Sequence, residues 1–458
     1  ALLLHDTPDF AYGFFGAIRM GAVAVPLNTL LKPHDYEHLL NDCRARVIMV
    51  SEALLPQIEV IPRDRLRYLE QVVVVGPART GMPSLENLMA AHSPDFEPAA
   101  TCKDEPAFWL YSSGSTGSPK GCVHLHHDMV VCAELYARQI LNIGPEDRCF
   151  SVAKLFFAYG LGNALYFPFS VGATSILWPG PPIAAHVYEV IERHRPTLFF
   201  SVPTNYAMLL AHRREGADFD LSGVRHAVSA GEALPAALYH RFRERFGVEI
   251  LDAIGSTEAL QMFIANRPGA ARPGSSGQVI PGYEARIVDE EGRDLPDGEV
   301  GHLLVRGDSI CAFYWNQHEK TKATIEGNWL RTGDKYRRDE QGYFWHAGRS
   351  DDMLKVGGIW VSPVEIESTL LEHPAVLEAA VVGREDQDRL IKPAAYVSLR
   401  PGFVAGEVLA TEIREFVVSR IAEYKRPRWV EFLPELPKTA TGKIQRFKLR
   451  QMAAAGRG

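Results

Sequence analysis

Three sets of residues in this chain could act together chemically: a loop of small residues, carboxylates set beside hydroxyls or glycines, and a lysine near the C-terminus. The loop is Tyr111-Ser112-Ser113-Gly114-Ser115-Thr116-Gly117-Ser118-Pro119-Lys120-Gly121, and it follows the apolar run Phe108 to Leu110. Its glycines let backbone N–H groups approach phosphate oxygens, its hydroxyls add donors and Lys120 adds charge, so it can cradle a triphosphate. It is not a Walker loop, because GxxxxGK[ST] spacing is absent. A Gly/Ser-rich loop alone is more often a plain connection, so phosphate binding rests on what accompanies it. Glu258 offers the hard oxygen donors that Mg2+ prefers, beside the Thr257 hydroxyl, although an isolated Thr-Glu is usually a surface pair. Asp334, after Thr332-Gly333, can accept from hydroxyls and Arg349 can donate to oxygens, although as lone residues both most often face solvent. Lys443, in Thr441-Gly442-Lys443, sits in a turn that presents a compact point charge at its tip.

The elements that must position these residues are readable as pattern. Short β-branched runs (Val47 to Val50, Val72 to Val75, Leu198 to Val202) alternate with helix-patterned segments such as His186 to His194 and Ala236 to Phe246, which predicts parallel α/β layers. Thr7-Pro8 supplies an N-cap and a first-turn proline for a helix reaching about Met20. After Gly277 the texture becomes that of hairpins: Ala285 to Asp289, a turn at Glu291-Gly292, then Asp297-Gly298 and Val300 to Val305. From about Arg349 a second unit begins, with helices at Pro363 to Glu372 and Glu407 to Ala422 and strands at Val376 to Val382 and Ala394 to Leu399. The fold class is thus α/β: a large N-terminal domain (1–349) with a small β-barrel annex over about 277–349, and a smaller, mobile α+β domain (350–458).

Composition sets outer limits. With 458 residues, 46% apolar and 23% charged, the chain is long enough for two cores, and no run of about 18 apolar residues could span a bilayer. A net charge of −7 argues against a general nucleic-acid partner, although the segment from Arg420 to Arg450 is locally basic. Six cysteines without metal-ligand or CxxC spacing point to a reducing, cytoplasmic compartment. The expected partners are small molecules, with no nucleic acid, no membrane, and a homodimer as the assembly to test.

The loop string resembles the signature loop of the acyl-adenylate-forming superfamily, which includes acyl-CoA synthetases, luciferases and adenylation domains. The likeness continues in family order through Ser229-Ala230-Gly231-Glu232-Ala233-Leu234-Pro235, Gly255-Ser256-Thr257-Glu258, Thr332-Gly333-Asp334, Gly348-Arg349-Ser350-Asp351-Asp352 and Lys438-Thr439-Ala440-Thr441-Gly442-Lys443. It covers almost the whole chain. A member of that family carries further sequence before Ala1, so the N-terminal domain is expected to be truncated at its start. The resemblance implies ATP and Mg2+, with coenzyme A as co-substrate. It implies catalytic roles for Lys443, Thr257, Glu258 and Lys355, and Glu258 as the metal ligand. For the nucleotide it implies Ser113, Gly114, Ser115, Thr116, Gly117, Lys120, Gly231, Glu232, Ala233, Asp252, Ala253, Ile254, Gly255, Ser256, Asp334 and Arg349. Gly357 and Gly358 are implied for coenzyme A, and Asp351 as the hinge. The family's usual aromatic before Gly255 is Ile254 here, so aliphatic packing takes the place of adenine stacking.

The segment Leu155-Phe156-Phe157-Ala158-Tyr159-Gly160-Leu161-Gly162-Asn163 contains no carboxylate to pair an amino group, and its interleaved aromatic and small residues suit a flat, short ring. Core packing explains such a composition equally well. Its wording, with Gln261-Met262-Phe263 after Glu258, resembles benzoate-CoA ligases and their hydroxybenzoate and aminobenzoate relatives. By that likeness Phe157 is the gate aromatic, and Ala158, Tyr159, Gly160, Ile254 and Gln261 line the acyl pocket. Gln261 stands where benzoate ligases are expected to carry a histidine. A buried amide there favours a ring hydroxyl, and so a hydroxybenzoate. Two other readings fit the same residues: an aryl-acid adenylation enzyme that loads a carrier protein, and a nucleotide-binding relative without turnover.

Overall fold

The computed structural model describes residues 1–112, 119–349, 352–356, 359–387, 390–438 and 443–455, with the side chains of Lys355, Ile359, Trp360 and Tyr424 left out. Its centre is a seven-stranded sheet in the spatial order Gln278–Val279, Met262–Ala265, Ile250–Gly255, His226–Ser229, Leu198–Ser201, Arg148–Ser151 and Thr174–Ile176. The last five of these run parallel. Leu198–Ser201 is buried at every position, as a strand covered by helices on both faces must be. Helix Ala184–His194 turns Val187, Tyr188, Val190 and Ile191 inward, and helix Ala236–Phe246 turns Leu238, Tyr239 and Phe242 inward. Both end on a left-handed residue, Arg195 at φ 51° and Gly247 at φ 70°. Because the strands are parallel, their carboxyl ends form one rim. The segments leaving it begin at Val152, Val202, Ala230 and Ser256.

Two further sheets flank this one. Leu2–Leu3, Val47–Ser51 and Gln71–Val75 form a parallel sheet, and Pro106–Ser112, Lys120–Leu125 and Phe313–Tyr314 an antiparallel one. Helix Pro8–Arg19 starts where the Thr7-Pro8 signal places it, although the Thr7 hydroxyl donates to Asp9 instead of capping the backbone. Among the described residues no helix is long and apolar enough to cross a membrane.

The annex departs from expectation in being an open antiparallel sheet rather than a closed barrel. Its order is Glu284–Val288, Gly301–Arg306, Trp329–Arg338 and Ile325–Glu326, with Phe344–Arg349 also on Trp329–Arg338. The outer edge of Phe344–Arg349 is used elsewhere: Phe344 donates to the Gly277 carbonyl (2.8 Å) and accepts from Ser276 N–H (2.9 Å). That edge is tied to the large domain, which leaves none for closure. The C-terminal unit pairs Val376–Glu385 with Ile391–Leu399 and that strand with Trp429–Phe432, over helices Pro363–Glu372 and Glu407–Val418. The second helix stops at Val418 rather than Ala422, where the Ser419 hydroxyl turns back to the Phe416 carbonyl.

Gly277 marks the passage from the large sheet into the annex. Its φ is +95°, and a Cβ there would lie 2.0 Å from the carbonyl carbon of Ala265, so both conformation and space exclude a side chain. Gly277→Ala is expected to lower unfolding free energy by about 2 kcal/mol or more. Denaturant titration checks this, and an unchanged midpoint would show that the crossing has room to relax.

Candidate active site

The sequence Ser112 to Lys120 closes a hairpin: Ser112 lies opposite Lys120, and Trp109 opposite Val123, in the antiparallel pair that flanks the small-residue loop. Residues Ser113 to Gly117 lie outside the described residues, but both feet of the loop are fixed. From its foot, the Lys120 ammonium donates to Glu258 Oε1 at 2.6 Å and to the Tyr314 hydroxyl at 3.0 Å, and it stands 4.5 Å from the centre of the Tyr314 ring. Tyr314 in turn donates to the same Glu258 oxygen at 2.8 Å. Burial would raise the Glu258 pKa. The charge of Lys120, with hydrogen bonds from Lys120 and Tyr314, outweighs burial and holds the carboxyl below its ordinary value. The group is therefore an anion, as a cation ligand must be.

Glu258 and Thr257 ride on a tight turn from strand Ile250–Gly255 into Met262–Ala265. Gly255 is required, because a Cβ there would meet the Gln261 carbonyl oxygen at 2.4 Å. Leu260 takes φ +64°, and the Ser256 hydroxyl accepts from Ala259 N–H at 3.2 Å. The turn is tied from outside by buried His124, whose Nε2 bonds the Thr257 carbonyl at 2.8 Å while Nδ1 meets buried Asp128 at 2.8 Å. Among the described residues no cluster of three His, Cys, Asp or Glu could hold a metal unaided. A single ionised carboxylate fits Mg2+ held mainly through phosphate oxygens.

Neighbouring strand ends bring in the rest. Gly231, at φ +89°, follows strand His226–Ser229, and Lys443 lies over it: the position of a Cβ on Gly231 is 3.6 Å from Lys443 Cε and 4.0 Å from Nζ. Glu232 faces the same arm. Burial raises its pKa, against the charges of Lys443 and Arg446. Asp252 sits one strand over, opposite Ser229, with its carboxyl pushed well up by burial. Ala253 is buried and Ile254 half-buried on the same strand. Asp334 and Arg349 are register partners in the annex and meet at 3.2 Å, with the guanidinium lying where a Gly333 side chain would be. Lys355 has a described backbone, paired with Trp360. Its side chain, Gly357, Gly358 and Asp351 lie outside the described residues.

The Phe157 segment leaves the same rim. Phe157 precedes helix Ala158–Leu161, and Gly160 packs so closely on the preceding chain that a Cβ would lie 2.1 Å from the Lys154 carbonyl oxygen. The Tyr159 hydroxyl bonds the Ser201 and Val228 carbonyls at 3.2 and 3.3 Å, anchoring its ring in the sheet's end. Gln261 is buried, and its amide nitrogen donates to the Ala158 and Tyr159 carbonyls at 2.8 and 3.1 Å. Its Oε1 has no hydrogen-bond partner. Sequence reasoning missed Tyr314 and His124. Tyr314 stands in Phe313-Tyr314-Trp315, an aromatic run with no positional signal, and His124 is one of three histidines in Val123-His124-Leu125-His126-His127.

Residues 1–315 match the family model described as AMP-binding enzyme, and residues 365–443 match AMP-binding enzyme C-terminal domain. The chain is 52% identical over 446 residues to a benzoate–CoA ligase of Thauera aromatica, covering 97% of this chain and 84% of the relative. It is 47% identical to a 4-hydroxybenzoate–CoA/benzoate–CoA ligase of Rhodopseudomonas palustris, covering 100% and 84%. A solved anthranilate CoA ligase in complex with anthranoyl-AMP superposes with a TM-score of 0.95 at 49% identity, covering 99% of this chain and 87% of that one. A benzoate CoA ligase from Burkholderia xenovorans LB400 superposes at 0.90 with 47% identity, covering 98% and 88%.

Tyr314→Phe keeps the ring beneath Lys120 and deletes one donor to a buried anion. Loss of a hydrogen bond to a buried charged group costs about 1.5–3 kcal/mol, so the unfolding free energy measured by denaturant titration is expected to fall by about that much. An unchanged midpoint in this variant would mean that Lys120 alone holds Glu258.

Proposed function

Since the chain belongs to the AMP-binding enzyme family, we propose that it joins an aromatic carboxylic acid of the benzoate or hydroxybenzoate type to coenzyme A, through an acyl-AMP intermediate, with release of AMP and pyrophosphate. The observation that carries this reading is the approach of Lys443 to Gly231, which brings a C-terminal cation to the rim where the loops bearing Glu258 and Phe157 also emerge. A carboxylate is a poor electrophile. Its oxygen must first bond to the α-phosphorus of ATP, while the bond from that phosphorus to the bridging oxygen of pyrophosphate breaks. Positive side chains and hydroxyls at the rim, Lys443, Lys120 and Thr257 among them, would stabilise the charge that develops there. Mg2+, when bound at Glu258, supplies neutralisation of the phosphate oxygens. Asp334 and Arg349 would hold the ribose, and the Gly231-Glu232-Ala233 and Asp252 to Ser256 segments the base and phosphates. In the second step the thiol of coenzyme A attacks the acyl carbonyl, loses its proton and displaces AMP.

We assign the second step to a turn of the C-terminal unit about Asp351, which would withdraw Lys443 and bring Lys355, Gly357 and Gly358 to the adenylate. Six free cysteines, all but Cys102 buried, support a reducing compartment such as the cytoplasm. Lys443→Ala is expected to abolish benzoate-dependent ATP–pyrophosphate exchange and to spare thioester formation from premade acyl-AMP; equal loss of both would remove Lys443 from this role. The orphaned Oε1 of Gln261 lacks a donor that a ring hydroxyl could supply. On that basis kcat/KM for a hydroxybenzoate should exceed that for benzoate by roughly tenfold, since an unpaired buried acceptor costs about 1–3 kcal/mol. Equal values for the two acids would show that Oε1 does not face the ring.

A further inference from the structure

Lys154 lies at the root of the pocket wall and in none of the assigned roles. It follows strand Arg148–Ser151, and its ammonium donates to the Trp178 carbonyl at 2.5 Å and the Gly180 carbonyl at 2.7 Å. Asp6, only 5% exposed, comes from the far N-terminal end of the chain; its Oδ2 lies 4.0 Å from that ammonium, and its Oδ1 accepts from Leu155 N–H at 3.2 Å. The backbone between these two anchors is what the wall stands on. The Lys154 carbonyl accepts from Phe157 N–H at 3.0 Å, and Gly160 packs on the Ala153 and Lys154 carbonyl oxygens, 2.4 and 2.1 Å from where a Cβ would be.

We propose that Lys154 and Asp6 are positioning and specificity-determining residues for the aromatic-acid pocket, fixing the backbone from which Phe157, Ala158, Tyr159 and Gly160 are presented. The proposal rests on the aromatic-acid reading above and deepens it. Partly burying a lysine beside a buried carboxyl is costly: burial lowers the Lys154 pKa and pushes the Asp6 carboxyl up to about 6, against the opposing effect of the Lys154 charge. Two carbonyls and one carboxylate converge on a single ammonium, which fixes the position of the chain more sharply than apolar contact would. The pair joins three otherwise separate segments, the N-terminal loop, the pocket strand end and the Trp178–Gly180 loop. Small shifts of a positioning group have disproportionate kinetic effects. The pocket should therefore feel the loss of this clamp before the nucleotide cradle, which is tied by Lys120, Tyr314 and His124.

The test is ATP–pyrophosphate exchange with benzoate for wild type, Lys154→Met, Asp6→Asn and Lys154→Arg, with KM measured separately for acid and for ATP. Lys154→Met is expected to raise KM for benzoate about tenfold and KM for ATP less than about twofold. Asp6→Asn keeps an acceptor for Leu155 and should raise KM for benzoate about threefold, and Lys154→Arg should restore most of the wild-type value. Wild-type KM for benzoate in Lys154→Met, or equal rises for acid and ATP, would overturn the proposal. Should Lys154→Met fail to fold, Asp6→Asn and Lys154→Arg decide on the same criterion. A wild-type chain that exchanges with no aromatic acid would sink the functional reading and this inference together. Normal wild-type exchange with unaffected variants would sink the inference alone.

Discussion

A carboxylate taken out of water is tolerated only where its charge is met, and Glu258 is met from two directions: Lys120 reaches it from the hairpin, and Tyr314 from the strand paired beside that hairpin. This contact joins segments more than a hundred residues apart. It also accounts for the neighbouring architecture, because Phe313–Tyr314 pairs with Lys120–Leu125 and Cys311 N–H donates to the Glu258 carbonyl at 2.7 Å. The strand end carrying Thr257 and the hairpin carrying the loop are thus tied by side chain and by backbone. His124 adds a third tie from beneath.

Around that anchor the parallel sheet does the gathering. Five of its seven strands point the same way, so the segments after Ser151, Ser201, Ser229 and Gly255 leave one rim in lateral order. Ligand sites outside the carboxyl ends of parallel strands follow from this geometry. The Phe157 wall, the Gly231 loop and the Thr257-Glu258 turn are neighbours for that reason, although 101 positions separate Phe157 from Glu258 in the chain. The annex adds Asp334 and Arg349 from a sheet anchored by Gly277, and the C-terminal unit adds Lys443 from above.

Legibility in the sequence followed how local each determinant is. The alternation of β-branched runs with helical segments was readable because burial on both faces is written in consecutive residues, as at Leu198–Ser201. The hairpin ends were readable from glycine, and helix Ala236–Phe246 ends where the spacing places it. Closure of the annex was not readable, since strands reveal their own pleat but not which edge they will meet; the Phe344 edge goes to Gly277. Tyr314 escaped notice because its meaning lies wholly in distant partners. For Gln261 the chain announced a buried amide without saying which end would be used, and the nitrogen is spent on the Ala158 and Tyr159 carbonyls.

The hairpin that carries Lys120 has one more consequence. A glycine-rich loop that opens a helix can offer an anion the partial positive charge of the helix end; here strands Pro106–Ser112 and Lys120–Leu125 flank the loop, and Lys120 supplies a formal charge at its foot. Lys120 does so from a pleated position whose side alternates residue by residue. Inserting or deleting a single residue between Ser112 and Lys120, if absorbed by a one-step slip of the ladder, would carry the ammonium to the opposite face, away from Glu258. In this register, the number of residues from Ser112 to Lys120 thus helps decide which face the ammonium occupies.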